Sequence, residues 1–228
     1  MLALVGSGEY LPDMQPVDRF LLEHLPYDPQ VVCLPTAAGM EGEERIRYWS
    51  ELGVAYYNRL GVRVTALPVI DRSSANDRFY SEQISKANFV YFSGGKPEYL
   101  HRVLNGSLVW QAVKIVLGDG GVVAGCSAGA MIMGERIPGF LKWQKGFGLV
   151  SNAVIVPHFD EIPNSFLSGI RLAAGKKLTI IGIEGFTALI QDGERYIVQG
   201  KGAVHLPNSP DKQSYRQGDE VPIGEIIN

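Results

Sequence analysis

Short apolar runs rich in β-branched residues alternate along this chain with longer segments whose apolar positions recur every three to four residues. The short runs predict buried strands: "LALVG", "QVVCLPTAAG", "VRVTALPV", "NFVYFSGG", "GVVAGC", "NAVIVPHF" and "LTIIGIEG". The longer segments predict helices: "VDRFLLEHL", about Glu43 to Leu60, about Ala75 to Lys86, "PEYLHRVLN", "LVWQAVKIVLGDG", "AGAMIMGERI" and about Asn164 to Lys176. This alternation is typical of βαβ units that build a largely parallel sheet with helices on both faces.

The pattern changes from "TALIQDGERYIVQGKGAVHL" onward, where predicted strands follow one another closely. The turn signals "DGE" and "GKG" separate them, which predicts a small C-terminal antiparallel annex. No repeat, low-complexity tract or linker interrupts the chain, and 228 residues are ordinary for one α/β domain. We therefore expect a single domain over residues 1–228.

Composition narrows the classes of partner. Hydrophobic residues make up 46% and charged residues 20% of the chain, which is typical of globular proteins, and the net charge is −3 with scattered Lys and Arg. No basic patch for nucleic acid or an anionic membrane is visible. No apolar run has the length of a membrane span, "MLALVG" lacks the features of a signal peptide, and two cysteines are too few for a disulfide framework. We expect a cytoplasmic protein that acts on a small molecule or peptide.

The stretch "GCSAGA" lies where a predicted strand gives way to small residues. Residues 125–129 match G-x-S-x-G, a sharp strand-to-helix turn whose central serine takes a strained backbone conformation. The flanking residues must be small because the two backbones approach closely. Ser127 is the central residue, whereas Cys126 comes one position early and should point back toward the sheet. Ser127 is the expected nucleophile, although small residues that open a helix also serve as an N-cap or an anion site.

A serine hydroxyl needs a base that takes its proton, and the chain has four histidines. His158 directly follows the apolar run "AVIVP" and should emerge at the carboxyl end of a buried strand. His24 and His101 fall in polar helical stretches, and His205 falls in a strand of the annex. We therefore expect His158 to be the base.

Glu184 is the predicted carboxylate for orienting His158. It is the single charge in "LTIIGIEGFTALI", and a carboxylate in such apolar surroundings is costly unless it is paired. An N-cap role, or an ion pair with Lys176 or Arg171, is the structural alternative. Three other carboxylates lie near these residues in sequence: Asp160 and Glu161, expected to be solvated or helix-capping in a polar loop, and Glu135, a reserve on the predicted elbow helix.

Acyl transfer also needs donors aimed at the developing oxyanion. The N–H of Ala128 comes directly after the nucleophile. Gly94 and Gly95 end another predicted strand, where glycines can present backbone amides to a ligand, or can simply form a turn. Ligands of open α/β sheets bind at the carboxyl ends of strands, and Gly95, Ser127, His158 and Glu184 all follow predicted strands at that end.

The segments "ALVGSGE", "VYFSGG", "GCSAGA", "PHF" and "IGIEGFTAL" together resemble the dipeptidase E and cyanophycinase family of serine peptidases. That resemblance implies the flavodoxin-like fold of class I glutamine amidotransferases. It also implies Ser127 as nucleophile, His158 as base and acid, and Gly95 with Ala128 as the oxyanion pair. The third member implied by cyanophycinase-like relatives is Glu184. Aspartyl dipeptidases instead carry their acid shortly after the nucleophile helix, where this chain has "GFLKWQKG" without a carboxylate.

Two departures from the family concern the substrate. Lys96 and Pro97 replace the polar residue that usually follows the paired glycines, and Lys96 is either a contact for a substrate carboxylate or an exposed helix-capping residue. The Asp-Gln pair that precedes the histidine in cyanophycinases is replaced by Val156 and Pro157. Cleavage of the cyanophycin polymer is therefore not expected.

Three functional hypotheses follow. The leading one is a serine hydrolase that cleaves amide bonds of small peptides through an acyl-enzyme on Ser127, with neither metal nor organic cofactor. The second is an amidotransferase-type glutaminase that uses Cys126, and the third is a non-catalytic flavodoxin-like module that binds an anion or nucleotide. We expect no nucleic-acid or membrane partner, and a homodimer is compatible with the sequence.

Overall fold

The architecture is mixed α/β, with two sheets, and the computed structural model describes residues 1–139, 142–210 and 212–223. Residues 140 and 141 of "GFLKWQKG" lie outside the described residues. The strands are β1 (Leu2–Val5), β2 (Gln30–Leu34), β3 (Arg63–Ala66), β4 (Phe89–Phe92), β5 (Val122–Cys126), β6 (Gly134–Ile137), β7 (Gln144–Lys145), β8 (Val150–Val156), β9 (Thr179–Ile183), β10 (Thr187–Asp192), β11 (Arg195–Gly200), β12 (Ala203–His205) and β13 (Ser214–Arg216). The α-helices are α1 (Gln15–Glu23), α2 (Glu43–Arg59), α3 (Arg72–Ala75), α4 (Arg78–Ser85), α5 (Pro97–Leu104), α6 (Leu108–Gly118), α7 (Ala128–Met131) and α8 (Asn164–Ala174).

The first sheet has the order β11-β10-β1-β5-β4-β2-β3. Strands β1 to β5 run parallel, and the hairpin of β10 and β11 joins antiparallel to β1. Alternate residues of the parallel strands enter two separate cores, as the twofold repeat of a strand requires. One core receives Leu4 and Phe92 and packs against α4, α5 and α6, whereas the other receives Val5 and Tyr91 and packs against α1 and α2. Helices therefore cover both faces of this sheet, as predicted.

The second sheet has the order β13-β12-β9-β8-β6-β7, with β6, β8 and β9 parallel. The predicted annex is therefore divided: β10 and β11 extend the first sheet, while β12 and β13 pair beside β9 in the second. Ser127 follows a strand of the first sheet, but His158 and Glu184 follow strands of the second. The residues of the predicted site come from two sheets rather than from one edge.

The prediction of one helix over "AGAMIMGERI" is wrong in its second half. Helix α7 ends at Met131, and Gly134–Ile137 form β6, which pairs with β8 and β7. A side chain at Gly134 would place its Cβ 2.9 Å from the carbonyl oxygen of Ala153, so the residue suits close approach to a neighbouring strand. Local periodicity could not reveal this, because the strand's partners come later in the chain.

The described helices have no member with the length and apolar character that a membrane crossing requires.

Candidate active site

Ser127 lies on a sharp turn between β5 and α7. Its backbone angles are φ 50° and ψ −110°, which a residue with a side chain adopts only under strain. A Cβ at Gly125 would overlap the carbonyl group of Gly129, and a Cβ at Gly129 would lie 2.6 Å from the carbonyl oxygen of Phe92. The small residues of "GCSAGA" are therefore required by close backbone contacts, and the turn presents a half-buried serine hydroxyl at the end of the strand.

His158 follows the end of β8 in a left-handed conformation, with φ 52° and ψ 37°. Its Nε2 lies 3.1 Å from Oγ of Ser127, and its side chain is 39% exposed. This is the distance at which an imidazole can take the proton of a serine hydroxyl. The geometry brings together the two residues for which the sequence predicted contact.

The carboxylate beside the other ring nitrogen of His158 is Glu161. Its Oε2 lies 3.6 Å from Nδ1, and its backbone N–H donates to the carbonyl oxygen of His158 at 2.9 Å. Both residues belong to a single 3₁₀ turn, in which side chains three positions apart lie above one another. The Glu161 side chain is 68% exposed, as expected for a solvated residue of a polar loop, and its i, i+3 spacing from His158 is the signal that could have identified it as the neighbour of the imidazole.

Glu184 does not have the partner that the sequence predicted. Its Oε1 lies 2.8 Å from Nε2 of His205, and its Oε2 accepts the N–H of Ala203 at 2.8 Å. Because β12 pairs antiparallel with β9, it places the imidazole of His205 beside Glu184. The expected pairing of Glu184 with His158 is corrected: the carboxylate is paired with His205 and with the backbone of Ala203 instead.

The paired glycines have different roles. Gly94 is buried and its N–H donates to Oε1 of Glu9 at 2.9 Å, so this amide is not free to serve as an oxyanion donor. Gly95 is exposed with φ 142°, and the described residues offer no acceptor for its N–H. Ala128 is the first residue of α7, where an N–H has no intrahelical acceptor. Gly95 and Ala128 thus remain available as a pair, and the prediction for Gly94 is corrected.

Lys96 is exposed at the N-cap of α5 and makes no side-chain capping bond. Its N–H donates to the carbonyl oxygen of Ala37 at 3.0 Å, and its own carbonyl accepts the N–H of Leu100. No ion pair of its ammonium group occurs within the described part of the chain. Both interpretations of Lys96 remain compatible with this placement.

Cys126 points into the protein interior. It is fully buried, and its Sγ donates to Oε2 of Glu9 at 3.0 Å. Burial, reinforced by the neighbouring Glu9 carboxylate, raises the pKa of the Cys126 thiol well above its usual value. A protonated, inaccessible thiol is a poor nucleophile, which disfavours the glutaminase hypothesis.

Residues 1–139, 142–210 and 212–223 contain no group of three or more His, Cys, Asp or Glu side chains arranged to hold a metal ion.

Comparisons with known proteins identify the family of this chain. The model of Peptidase family S51 matches residues 2–198. A crystal structure of a peptidase from an acI-B1 Actinobacterium is 35% identical, with a TM-score of 0.89 over 96% of this chain and 95% of the other. A peptidase E protein from Listeria monocytogenes EGD-e shares the fold at 21% identity and a TM-score of 0.62, over 88% of this chain and 98% of the other.

A curated relative, the cyanophycinase of Geminocystis herdmanii (strain PCC 6308), is 23% identical over 196 residues, which span 78% of this chain and 69% of the relative. The family match extends from β1 through the elbow and the His158 turn to β11. The chain therefore belongs to peptidase family S51 and is a hydrolase of the serine peptidase type.

Proposed function

We propose that this protein hydrolyses amide bonds of small peptides through an acyl-enzyme on Ser127. The observation that carries the proposal is the 3.1 Å contact between Oγ of Ser127 and Nε2 of His158, made at a strained strand-to-helix turn. A serine held in that conformation and beside an imidazole has the geometry of an activated nucleophile.

In the first half of the reaction, Nε2 of His158 takes the hydroxyl proton while Oγ of Ser127 bonds to the substrate carbonyl carbon. The resulting tetrahedral intermediate collapses when His158 passes that proton to the leaving amine, which gives an ester on Ser127. In the second half, His158 takes a proton from water, whose oxygen attacks the ester, and returns it to Oγ as the acid product leaves.

The amides of Gly95 and Ala128 are proposed to bind the oxyanion. Neither N–H has an acceptor among the described residues. Ala128 directly follows Ser127, and Gly95 follows Gly94, where a Cβ would lie 3.4 Å from Cβ of Ser127. Glu161 is proposed to accept the Nδ1 proton of His158, which keeps Nε2 free to act as the base. Its side chain is 68% exposed, so we expect a modest contribution.

The enzyme is tested with a fluorophosphonate probe and a library of dipeptides and isopeptides. Wild-type protein should become labelled at Ser127 and hydrolyse a subset of the library, whereas Ser127→Ala should do neither. Equal labelling or equal hydrolysis by both proteins would rule out the acyl-enzyme. A non-catalytic module would instead be stabilised by nucleotides in a thermal-shift screen, without hydrolysis of any peptide.

We further propose that Lys96 meets the carboxylate of the substrate. The residue directly follows the free amide of Gly95 and has an ammonium group without an ion-pair partner in the described residues. Lys96→Met should raise KM for peptides with a free C-terminal carboxylate. KM for the same peptides with an amidated C-terminus should stay unchanged. Equal effects on both series would show that the ammonium group of Lys96 does not meet the substrate carboxylate.

A cytoplasmic location, a homodimer, and the absence of nucleic-acid and membrane partners stay predictions.

A further inference from the structure

Glu9 is a buried carboxylate beneath the candidate active site, with 9% of its surface exposed. It lies in "GSGE", just beyond the end of β1, and both of its oxygens are used. Oε1 accepts the N–H of Gly94 at 2.9 Å, and Oε2 accepts the Sγ–H of Cys126 at 3.0 Å. The two donors lie at the carboxyl ends of neighbouring strands: Gly94 comes after β4, and Cys126 is the last residue of β5. One side chain therefore joins the glycine loop to the residue directly before the nucleophile.

The contact with Gly94 constrains the peptide unit that precedes the free amide of Gly95. A Cβ at Gly94 would lie 2.9 Å from Oε1 of Glu9 and 3.4 Å from Cβ of Ser127, so the loop lies close to both the carboxylate and the serine. On its other side the loop is held by the N–H of Lys96, which donates to the carbonyl oxygen of Ala37 at 3.0 Å. Gly95 lies between these two anchors.

We propose that Glu9 is a positioning residue of the oxyanion hole, which orients the Gly95 amide by accepting the N–H of Gly94. The inference rests on the proposed function. The accepting oxygen is buried where water does not compete for the Gly94 N–H, so the bond holds the loop wherever that oxygen is placed. Because an oxyanion donor must lie close to its ideal distance, loosening the loop weakens binding of the transition state more than binding of the substrate.

Two substitutions separate the reach of the side chain from its charge. Glu9→Gln keeps the length and an oxygen that can accept the Gly94 N–H, but it removes the charge. Glu9→Asp keeps the charge, but its side chain is one methylene shorter, which moves the accepting oxygen away from the Gly94 N–H. We expect E9D to lower kcat by about 10- to 100-fold with KM within about twofold of wild type, while E9Q keeps at least about a third of wild-type kcat.

The measurements are kcat and KM on a cleaved peptide and the rate of fluorophosphonate labelling, each below the unfolding temperature of the variant. The labelling rate should fall in parallel with kcat in E9D, because phosphonylation of Ser127 uses the same oxyanion donors. If E9D does not fold, Glu9→Met fills the site with an unbranched side chain without a strong acceptor, and the same loss in kcat is expected.

Three results would overturn the inference: equal kcat in E9D and wild type, a larger loss in E9Q than in E9D, or a loss confined to KM. The wild type and Ser127→Ala are measured in parallel. An inactive wild type that the probe does not label contradicts the proposed function, whereas an active wild type with an unaffected E9D contradicts only the role of Glu9.

Discussion

Two histidines of this molecule lie beside a carboxylate, and their surroundings differ. His158 stands just after the end of β8, with Glu161 at 3.6 Å from Nδ1 and the hydroxyl of Ser127 at 3.1 Å from Nε2. His205 ends β12, where Nε2 lies 2.8 Å from Glu184. The His205 side chain is 22% exposed and that of His158 is 39% exposed.

The comparison shows that a carboxylate partner does not by itself distinguish a catalytic histidine. Glu184 makes the shorter contact, but it occupies the ring nitrogen that a nucleophile would need. His205 also stacks on Phe159, with ring centroids 4.8 Å apart, and Phe159 directly follows His158. The second pair therefore packs against the turn that carries the first, and we interpret it as a structural support for that turn.

The largest expected contrast is between the two histidine substitutions. His158→Ala should reduce kcat/KM by about 10³-fold or more, because no other base lies within reach of Ser127 in the described residues. His205→Ala should lower kcat/KM by less than about 10-fold and lower the unfolding temperature, since it removes the partner of Glu184 and the stack on Phe159. Equal activity losses in the two variants would refute the distinction.

The carboxylate of Asp18 is buried and has tyrosine partners instead of an imidazole. Its oxygens accept from the hydroxyls of Tyr56 at 2.6 Å and Tyr57 at 3.1 Å. Burial outweighs these bonds and raises the pKa of Asp18 from 3.8 to about 6.

Because the pKa of Asp18 is higher in the folded state, the folded protein retains the proton longer, and stability falls as pH rises from about 4 through 6. At 1.36 kcal/mol for each pKa unit, the loss reaches about 3 kcal/mol. We expect urea denaturation to show this loss in wild type relative to Asp18→Asn between pH 4 and 7. Parallel pH profiles for the two proteins would contradict a raised pKa.

The two carboxylates that lie beside histidines are compared by Glu161→Gln and Glu184→Gln. E161Q should lower kcat by about 3- to 10-fold, because the imidazolium loses a partner that is exposed and partly screened by solvent. E184Q should leave kcat close to wild type and lower the unfolding temperature. A larger kcat loss in E184Q would restore Glu184 as the carboxylate that acts on His158.

The smallest expected effect concerns Cys126. Iodoacetamide should leave activity unchanged, since this thiol is inaccessible and its raised pKa keeps it protonated. Mass spectrometry of the treated protein should find Cys126 unmodified before unfolding. Inactivation that follows alkylation of Cys126 would favour the glutaminase hypothesis.

Much of the architecture could be predicted from local pattern. The apolar runs predicted the parallel strands β1 to β5, and the segment from about Glu43 to Leu60 is the helix Glu43–Arg59. The small residues around Ser127 predicted the elbow, because a Cβ at Gly125 or Gly129 would collide with a neighbouring backbone. Strand β6 was not predicted, because its residues form a strand only through pairing with β8 and β7.

The sequence by itself determined which residues end buried strands, and so it indicated that Ser127, Gly95 and His158 could meet. Only the tertiary structure decided how carboxylates and donors are distributed among them. Glu184 faces His205, Glu161 faces His158, and Glu9 takes the amide of Gly94. The physical reason is that a strand's burial is read from its own residues, whereas a polar partner depends on which distant segments the folded backbone brings within about 3 Å.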